Sequence, residues 1–171
     1  ATEDLMRWRR DERRLRRALD AAVTCVARFI TDPGGGYCGV SWGKDSVVVL
    51  AVLAEAQRQC GATMPAVWVR VEGRENPECP QVRDAVLAHP WFAGIEYHEV
   101  EVTAGDGGGG LTSQRGFDEA ARRFGARHIS GVRSAESYAR AMRERHWGTT
   151  SAHTCAPITA LSTPDVYAIH A

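Results

Sequence analysis

From Tyr37 onward, short apolar runs of strand length alternate with stretches of helix length, and few folds accommodate that rhythm. Tyr37–Ser41 reads as a strand, followed by a glycine turn and an apolar helix over Asp45–Gln59. Next come a strand at Ala66–Val71, a helix around Pro80–Ala88 and a strand at Ile95–Val102. Gly105–Gly110 reads as a flexible loop, because glycine leaves the backbone unrestrained. A helix near Ser113–Phe124, a strand at His128–Ser130 and a helix at Ala135–Arg145 follow. Thr163-Pro164-Asp165 opens a last helix, with Thr163 as N-cap and Pro164 at N1. The pattern predicts an α/β fold, a doubly wound and mostly parallel sheet with helices on both faces. Right-handed crossovers then set the strand C-termini along one edge, where ligands of such sheets bind.

Ahead of this rhythm stands one helix, expected over residues 3–30. Leu15, Leu19, Ala22, Val23, Val26, Phe29 and Ile30 recur at three- and four-residue spacing and form an apolar stripe. Asp32-Pro33-Gly34-Gly35-Gly36 stops it. The chain therefore divides into a helix and linker over 1–36 and an α/β domain over 37–171. Seven arginines fall between Arg7 and Arg17 against only Asp11 and Glu12. They read first as a solvated face with local ion pairs, and otherwise as a surface for a protein partner, a second copy of the chain or, least of all, nucleic acid.

Charge and cysteine usage exclude several classes. The 21 basic and 21 acidic side chains cancel, which argues against a sequence-independent grip on nucleic acid. No apolar run is long enough to span a membrane, and the N-terminal stretch has no apolar signal region, so the expectation is a cytoplasmic protein. The five cysteines include no C-x-x-C pair, so free thiols are expected rather than zinc or an iron–sulfur cluster. His153 stands two residues before Cys155, but no second ligand pair accompanies them.

The strongest chemical signal is Ser41-Trp42-Gly43-Lys44-Asp45-Ser46, between the first strand of the α/β domain and its helix. Gly43 permits a sharp turn and close approach to a ligand. The first amides of the helix point outward at the positive end of its dipole. Ser41 and Ser46 add hydroxyls, and Lys44, the single lysine beside twenty arginines, adds a mobile charge. Together they make a phosphate or sulfate cradle; the plainer alternative is an ordinary turn with Asp45 or Ser46 as N-cap. The Walker pattern fails, since Cys38 replaces its first glycine and Asp45 follows the lysine. The dinucleotide fingerprint fails too, since Gly39-Val40-Ser41 lacks the second glycine.

This turn resembles the PP-loop, S-G-G-x-D-S, of the adenine nucleotide alpha-hydrolase-like group, and in particular the phosphoadenosine phosphosulfate (PAPS) reductase family. Three further segments are similar to that family's, in its order. They are Gly73-Arg74-Glu75-Asn76-Pro77-Glu78, the block Gly131-Val132-Arg133-Ser134-Ala135-Glu136-Ser137-Tyr138-Ala139-Arg140, and Pro157-Ile158 with Thr163-Pro164-Asp165-Val166-Tyr167.

The resemblance implies an adenine nucleotide, ATP or PAPS, with its phosphates on Ser41, Trp42, Gly43, Lys44, Asp45 and Ser46. Val69, Arg70 and Val71 would run beside the adenine. Arg133 and Arg140 would clamp the distal phosphate or sulfate, with Glu136 orienting an arginine or lying near a magnesium ion. The implied activity acts on the phosphosulfate or on the α–β phosphoanhydride; the alternative is a nucleotide-binding subunit without turnover. The sequence departs from the family at Val71-Glu72, where Asp-Thr is usual, and at Leu161, where tryptophan is usual. The family's redox cysteine lies in a C-terminal tail beyond the last segment, and that tail is expected to be absent, so no catalytic residue is assigned.

Overall fold

The computed structural model describes residues 2–103, 109–134, 142, 146 and 148–170. In chain order the elements are α1 (Thr2–Thr31), β1 (Gly36–Gly39), α2 (Lys44–Cys60), β2 (Ala66–Val71), α3 (Cys79–Ala88), a 3-10 turn at Pro90–Phe92, β3 (Tyr97–Val102), α4 (Gly109–Phe124), β4 (Arg127–Ile129), β5 (Thr154–Cys155) and α5 (Thr163–His170). The strands form a five-stranded sheet in the order β3-β2-β1-β4-β5, and every neighbouring pair is parallel. The chain leaves β1 toward β2 and β3, then returns to add β4 and β5 on the other side. The order therefore reverses between β1 and β4, and the C-terminal ends of those two strands bound the natural crevice of the sheet.

Two helical layers cover the sheet. On one face α2 is apolar nearly all round, with Val48, Val49, Leu50, Val52, Leu53, Ala54 and Ala56 buried between the sheet and α1. The stripe of α1 enters the same core through Ala22, Val23, Val26, Phe29 and Ile30, joined by Ile158, Leu161 and Val166 from the last segment. On the other face α4 packs over Tyr37, Val67 and Val100. Strand alternation sorts β2 between these layers: Val67 and Val69 face α4, whereas Trp68 and Arg70 face the opposite side.

A buried arginine joins the end of α1 to the sheet. Arg127 on β4 donates to the carbonyls of Phe29 (2.6 Å), Asp32 (2.9 Å) and Ala152 (3.2 Å), with its guanidinium 4.1 Å above the Phe29 ring. It thus supplies donors to carbonyls at and just beyond the end of α1, where Thr31 Oγ1 also donates back to the Arg28 carbonyl at 3.0 Å.

Several boundaries differ from the sequence reading for identifiable reasons. Helix α4 begins at Gly109, not Ser113, so Gly109 and Gly110 are helical. Thr112, Gly116 and Ala120 recur every fourth residue as a buried small-residue stripe, and a side chain at Gly116 would collide with Val69. That close packing holds Gly116 in the helix despite the poor helix propensity of glycine. β3 begins at Tyr97 because the 3-10 turn and the residues after it occupy the preceding stretch. The cap of α5 is Ser162, not Thr163: Ser162 Oγ accepts from the Asp165 amide at 3.3 Å, and the Ser162 amide donates to Asp165 Oδ2 at 2.9 Å. This reciprocal capping box moves the helix start forward by one residue. The helix expected over Ala135–Arg145 lies almost wholly outside the described residues, as do Gly105–Gly108 of the expected loop.

No helix among the described residues is long and apolar enough to cross a membrane.

Candidate functional site

Beyond β1 the chain turns at Ser41 and enters α2 at Lys44, with Gly43 in the N-cap position. Gly43 has no side chain, so the first amides of this 17-residue helix receive no side-chain cap. Neither Asp45 nor Ser46 is the cap, which disposes of the plainer reading in its literal form. Ser46 Oγ instead donates to the Gly43 carbonyl at 2.9 Å and accepts from Ser41 Oγ at 3.4 Å, bracing the turn internally.

Trp42 adopts φ 60°, and it is the only non-glycine residue with positive φ among those described. The second position of the turn therefore demands a left-handed backbone, which glycine adopts without strain and tryptophan does not. The indole compensates by burial: it is 3% exposed and meets the edges of Trp68 and Tyr97 at ring-centroid distances of 6.3 and 5.4 Å. Such edge-to-face contacts add to the apolar burial of the ring.

Three charges converge at the mouth of the turn. Lys44 Nζ lies 3.3 Å from Asp45 Oδ2, and Arg133 approaches the same carboxylate from below, Nε to Oδ1 at 2.9 Å and Nη2 to Oδ2 at 3.4 Å. The closer approach is an ion pair rather than an aligned hydrogen bond. Arg133 also donates to Thr163 Oγ1 at 3.1 Å, so it links the turn to the first residue of α5. It is 3% exposed and lies behind Asp45, not in the open. Gly131, two residues earlier, lies against the Asp45–Ser46 backbone, where an added Cβ would meet it at 3.3–3.4 Å. Glycine there lets the segment after β4 close over the start of α2.

A cleft of about 580 Å³ opens at the C-terminal ends of β1 and β4. Its polar wall is Ser41, Asp45, Ser46, Ser130 and the Gly131 backbone; its apolar wall includes Val69, Tyr37 and Phe117, with Gln114 and His128 beside them. Phe117 is 45% exposed, and it belongs to the outward face of α4. A larger hollow of about 730 Å³ lies in the helical layer between α1, α2 and the 3-10 turn. Its lining includes Asp20, Glu55 and His170 as well as apolar side chains, but it lies away from the strand ends where ligands of parallel sheets bind, so the smaller cleft is the candidate site.

The residues expected beside the adenine part company here. Val69 lines the cleft, whereas Arg70 is held on the opposite face of the sheet by Glu99 at 3.0 Å and Glu75 at 3.8 Å. Burial raises the Glu99 carboxyl, but hydrogen bonds from Tyr97, Arg70 and Arg83 outweigh that and hold it below the ordinary range. Val71 is buried at the end of β2. Trp42, Gly43 and Lys44 lie beside the cleft rather than in its wall. Glu136 and Arg140 lie outside the described residues.

The segments around Asn76 and Ile158–Val166 are placed as support. Asn76 Oδ1 accepts from the Glu78 amide at 3.0 Å, turning the chain into α3, whose Cys79 Sγ donates to the Ser41 carbonyl at 3.5 Å. Ile158, Leu161 and Val166 are core residues, and Asp165 pairs with Arg14 of α1.

Phe117, Gln114, Tyr37 and His128 carry no local sequence signal of a site. Gln114 and Phe117 are three residues apart on α4, a spacing that was visible, but only the sheet order brings that helix over β1 and β4. No protein-family model matches the chain, and neither does any curated protein.

Proposed function

We propose that the chain binds an adenine nucleotide, ATP or PAPS, in the cleft above β1 and β4. The supporting observation is the uncapped start of α2, braced by Ser41 and Ser46, opening directly into that cleft at the point where the strand order reverses. Phosphate oxygens would take the free amides of the turn and the mobile ammonium of Lys44. The base would lie along Val69 and against the exposed Phe117 ring, where a π-face offers stacking without a demand for one base. The cleft volume falls within the ordinary range for small-ligand sites.

The expected chemistry is displacement at the α-phosphate of ATP with loss of pyrophosphate, or cleavage of the phosphosulfate of PAPS by an external thiol. In the first case the turn amides and Lys44 would neutralise charge gathering on the leaving group. A resident Mg²⁺ does not fit the described wall: its carboxylate, Asp45, is already held between Lys44 and Arg133. No step is therefore assigned to that ion. Calorimetric titration with ATP and with PAPS tests binding; AMP plus pyrophosphate, or sulfite, then distinguishes the two reactions. Absence of binding by either nucleotide overturns the proposal.

A second reading, a nucleotide-binding subunit without turnover, is favoured by one observation. Arg133, a residue of the expected oxyanion clamp, is buried and engaged with Asp45 and Thr163. Tight nucleotide binding with no product formed would select it.

A further inference from the structure

Away from the cleft, two thiols meet across the fold. Cys25 on α1 and Cys155 on β5 are 130 residues apart in sequence, yet their sulfurs lie 3.6 Å apart. A disulfide needs about 2.05 Å, so roughly 1.5 Å of closure separates contact from bond. The pair is asymmetric: Cys25 is partly exposed, whereas Cys155 is 0% exposed. A tight hairpin holds Thr150 against them, with the Ser151 amide donating to the Thr154 carbonyl at 2.8 Å and the Ala156 amide to the Thr149 carbonyl at 2.9 Å. Thr150 Oγ1 thereby comes within 2.9 Å of Cys25 Sγ.

These contacts divide the two thiols by acidity. Hydrogen bonding from Cys155, then from Thr150 and Thr149, with the charge of Arg28, lowers the Cys25 thiol below its ordinary value. The same bond to Cys25, together with burial, raises Cys155. Cys38, fully buried, shows the contrast: burial alone pushes it up to about 12. A lowered, accessible thiol beside a raised, buried one is the arrangement of an attacking and a resolving cysteine.

We propose that Cys25 and Cys155 are a peroxide-reactive dithiol, in which Cys25 is the attacking sulfur and Cys155 the resolving one. The Cys25 thiolate attacks a small hydroperoxide: an S–O bond forms, the O–O bond breaks, and the departing alkoxide or hydroxide takes a proton. The resulting sulfenic acid is attacked by Cys155 Sγ, forming S–S and breaking S–O, and the Cys155 proton leaves with the hydroxide as water. In sum, two thiols are oxidised by two electrons and one hydroperoxide is reduced to an alcohol (or water) and water. The partial burial of Cys25 favours so small an oxidant, and the product ties α1 to the β5 edge.

The test treats the full chain with hydrogen peroxide, counts remaining thiols and maps disulfide-linked peptides by mass spectrometry. The expected result is loss of two of the five thiols, a Cys25–Cys155 crosslink lighter by two hydrogens, and a melting temperature raised by roughly 5–15 °C. Cys155→Ser should leave a dimedone-reactive sulfenic acid on Cys25, and Cys25→Ser should abolish both products. Retention of all five thiols in the wild-type protein, or a crosslink between other cysteines, overturns the proposal whether or not the variants fold.

Discussion

Arg133 and Asp45, 88 residues apart in sequence, form an ion pair in which the arginine is 3% exposed and the carboxylate 16% exposed. The pair fastens the segment after β4 to the first turn of α2. An arginine expected to clamp a ligand therefore holds, in this arrangement, the turn that would bind it.

Arg133→Ala should lower stability by about 3 kcal/mol, because it removes a buried cation and leaves the Asp45 carboxylate with only the partly exposed Lys44 beside it. Urea unfolding measures this, and Asp45→Asn with Arg133→Met in a double-mutant cycle isolates the coupling. A change in nucleotide affinity with unaltered stability would instead make Arg133 a ligand clamp only.

Lys44→Ala should weaken nucleotide binding by about 1–3 kcal/mol, the range for a lost charge-assisted hydrogen bond. Stability should hardly move, since the side chain is 38% exposed. Phe117→Ala should cost about 1 kcal/mol of affinity by removing a stacking surface. Calorimetry on both variants divides the phosphate end from the base end. If neither variant changes affinity, the ligand lies elsewhere.

Asp165 couples stability to pH. The hydrogen bond from Arg14, with those of Ser162, outweighs burial and depresses its carboxyl from 3.8 to about 2. A depressed folded-state value stabilises the native state above the unfolded value, and that gain is lost as pH falls through the folded one. Wild-type stability should thus drop by about 2 kcal/mol between about pH 4 and pH 2 on account of this group. Asp165→Asn should already lack this contribution at pH 7 and show a shallower acid limb in denaturant titrations. An unchanged acid limb in the variant would falsify the assignment.

Trp42→Ala should destabilise by about 3–5 kcal/mol through loss of the buried ring. Trp42→Gly should be milder by about 1 kcal/mol, because glycine accepts the positive φ of this position. Equilibrium unfolding of the two variants side by side gives the ordering; alanine milder than glycine would contradict it.

What the sequence revealed follows the range of each signal. Period and turn residues are local, so every strand of three or more residues and both faces of the sheet were foreseeable from patterning alone. β5 was not: Thr154–Cys155 is two residues long and exists because His128 and Ile129 pair with it, a relation no window of sequence contains. The site divides in the same way. Ser41 to Ser46 announced itself through glycine, hydroxyls and a lone lysine, whereas Phe117 and His128 reach the cleft only through strand order. Arg133 showed the limit of inference from residue type: a guanidinium that suits an oxyanion suits a carboxylate equally well, and Asp45 takes it.

The anchoring of α1 by Arg127 has a kinetic meaning. The donor that satisfies the Phe29 carbonyl lies 98 residues further along the chain. Helix α1 is complete as a segment long before β4 exists, yet its Phe29 carbonyl receives Arg127 only once β4 has joined β1. Docking of the first helix is thereby tied to one of the most sequence-distant pairings in the sheet. Helix α1 precedes β4 in the chain, yet its anchorage waits on a non-local pairing that is slow to form.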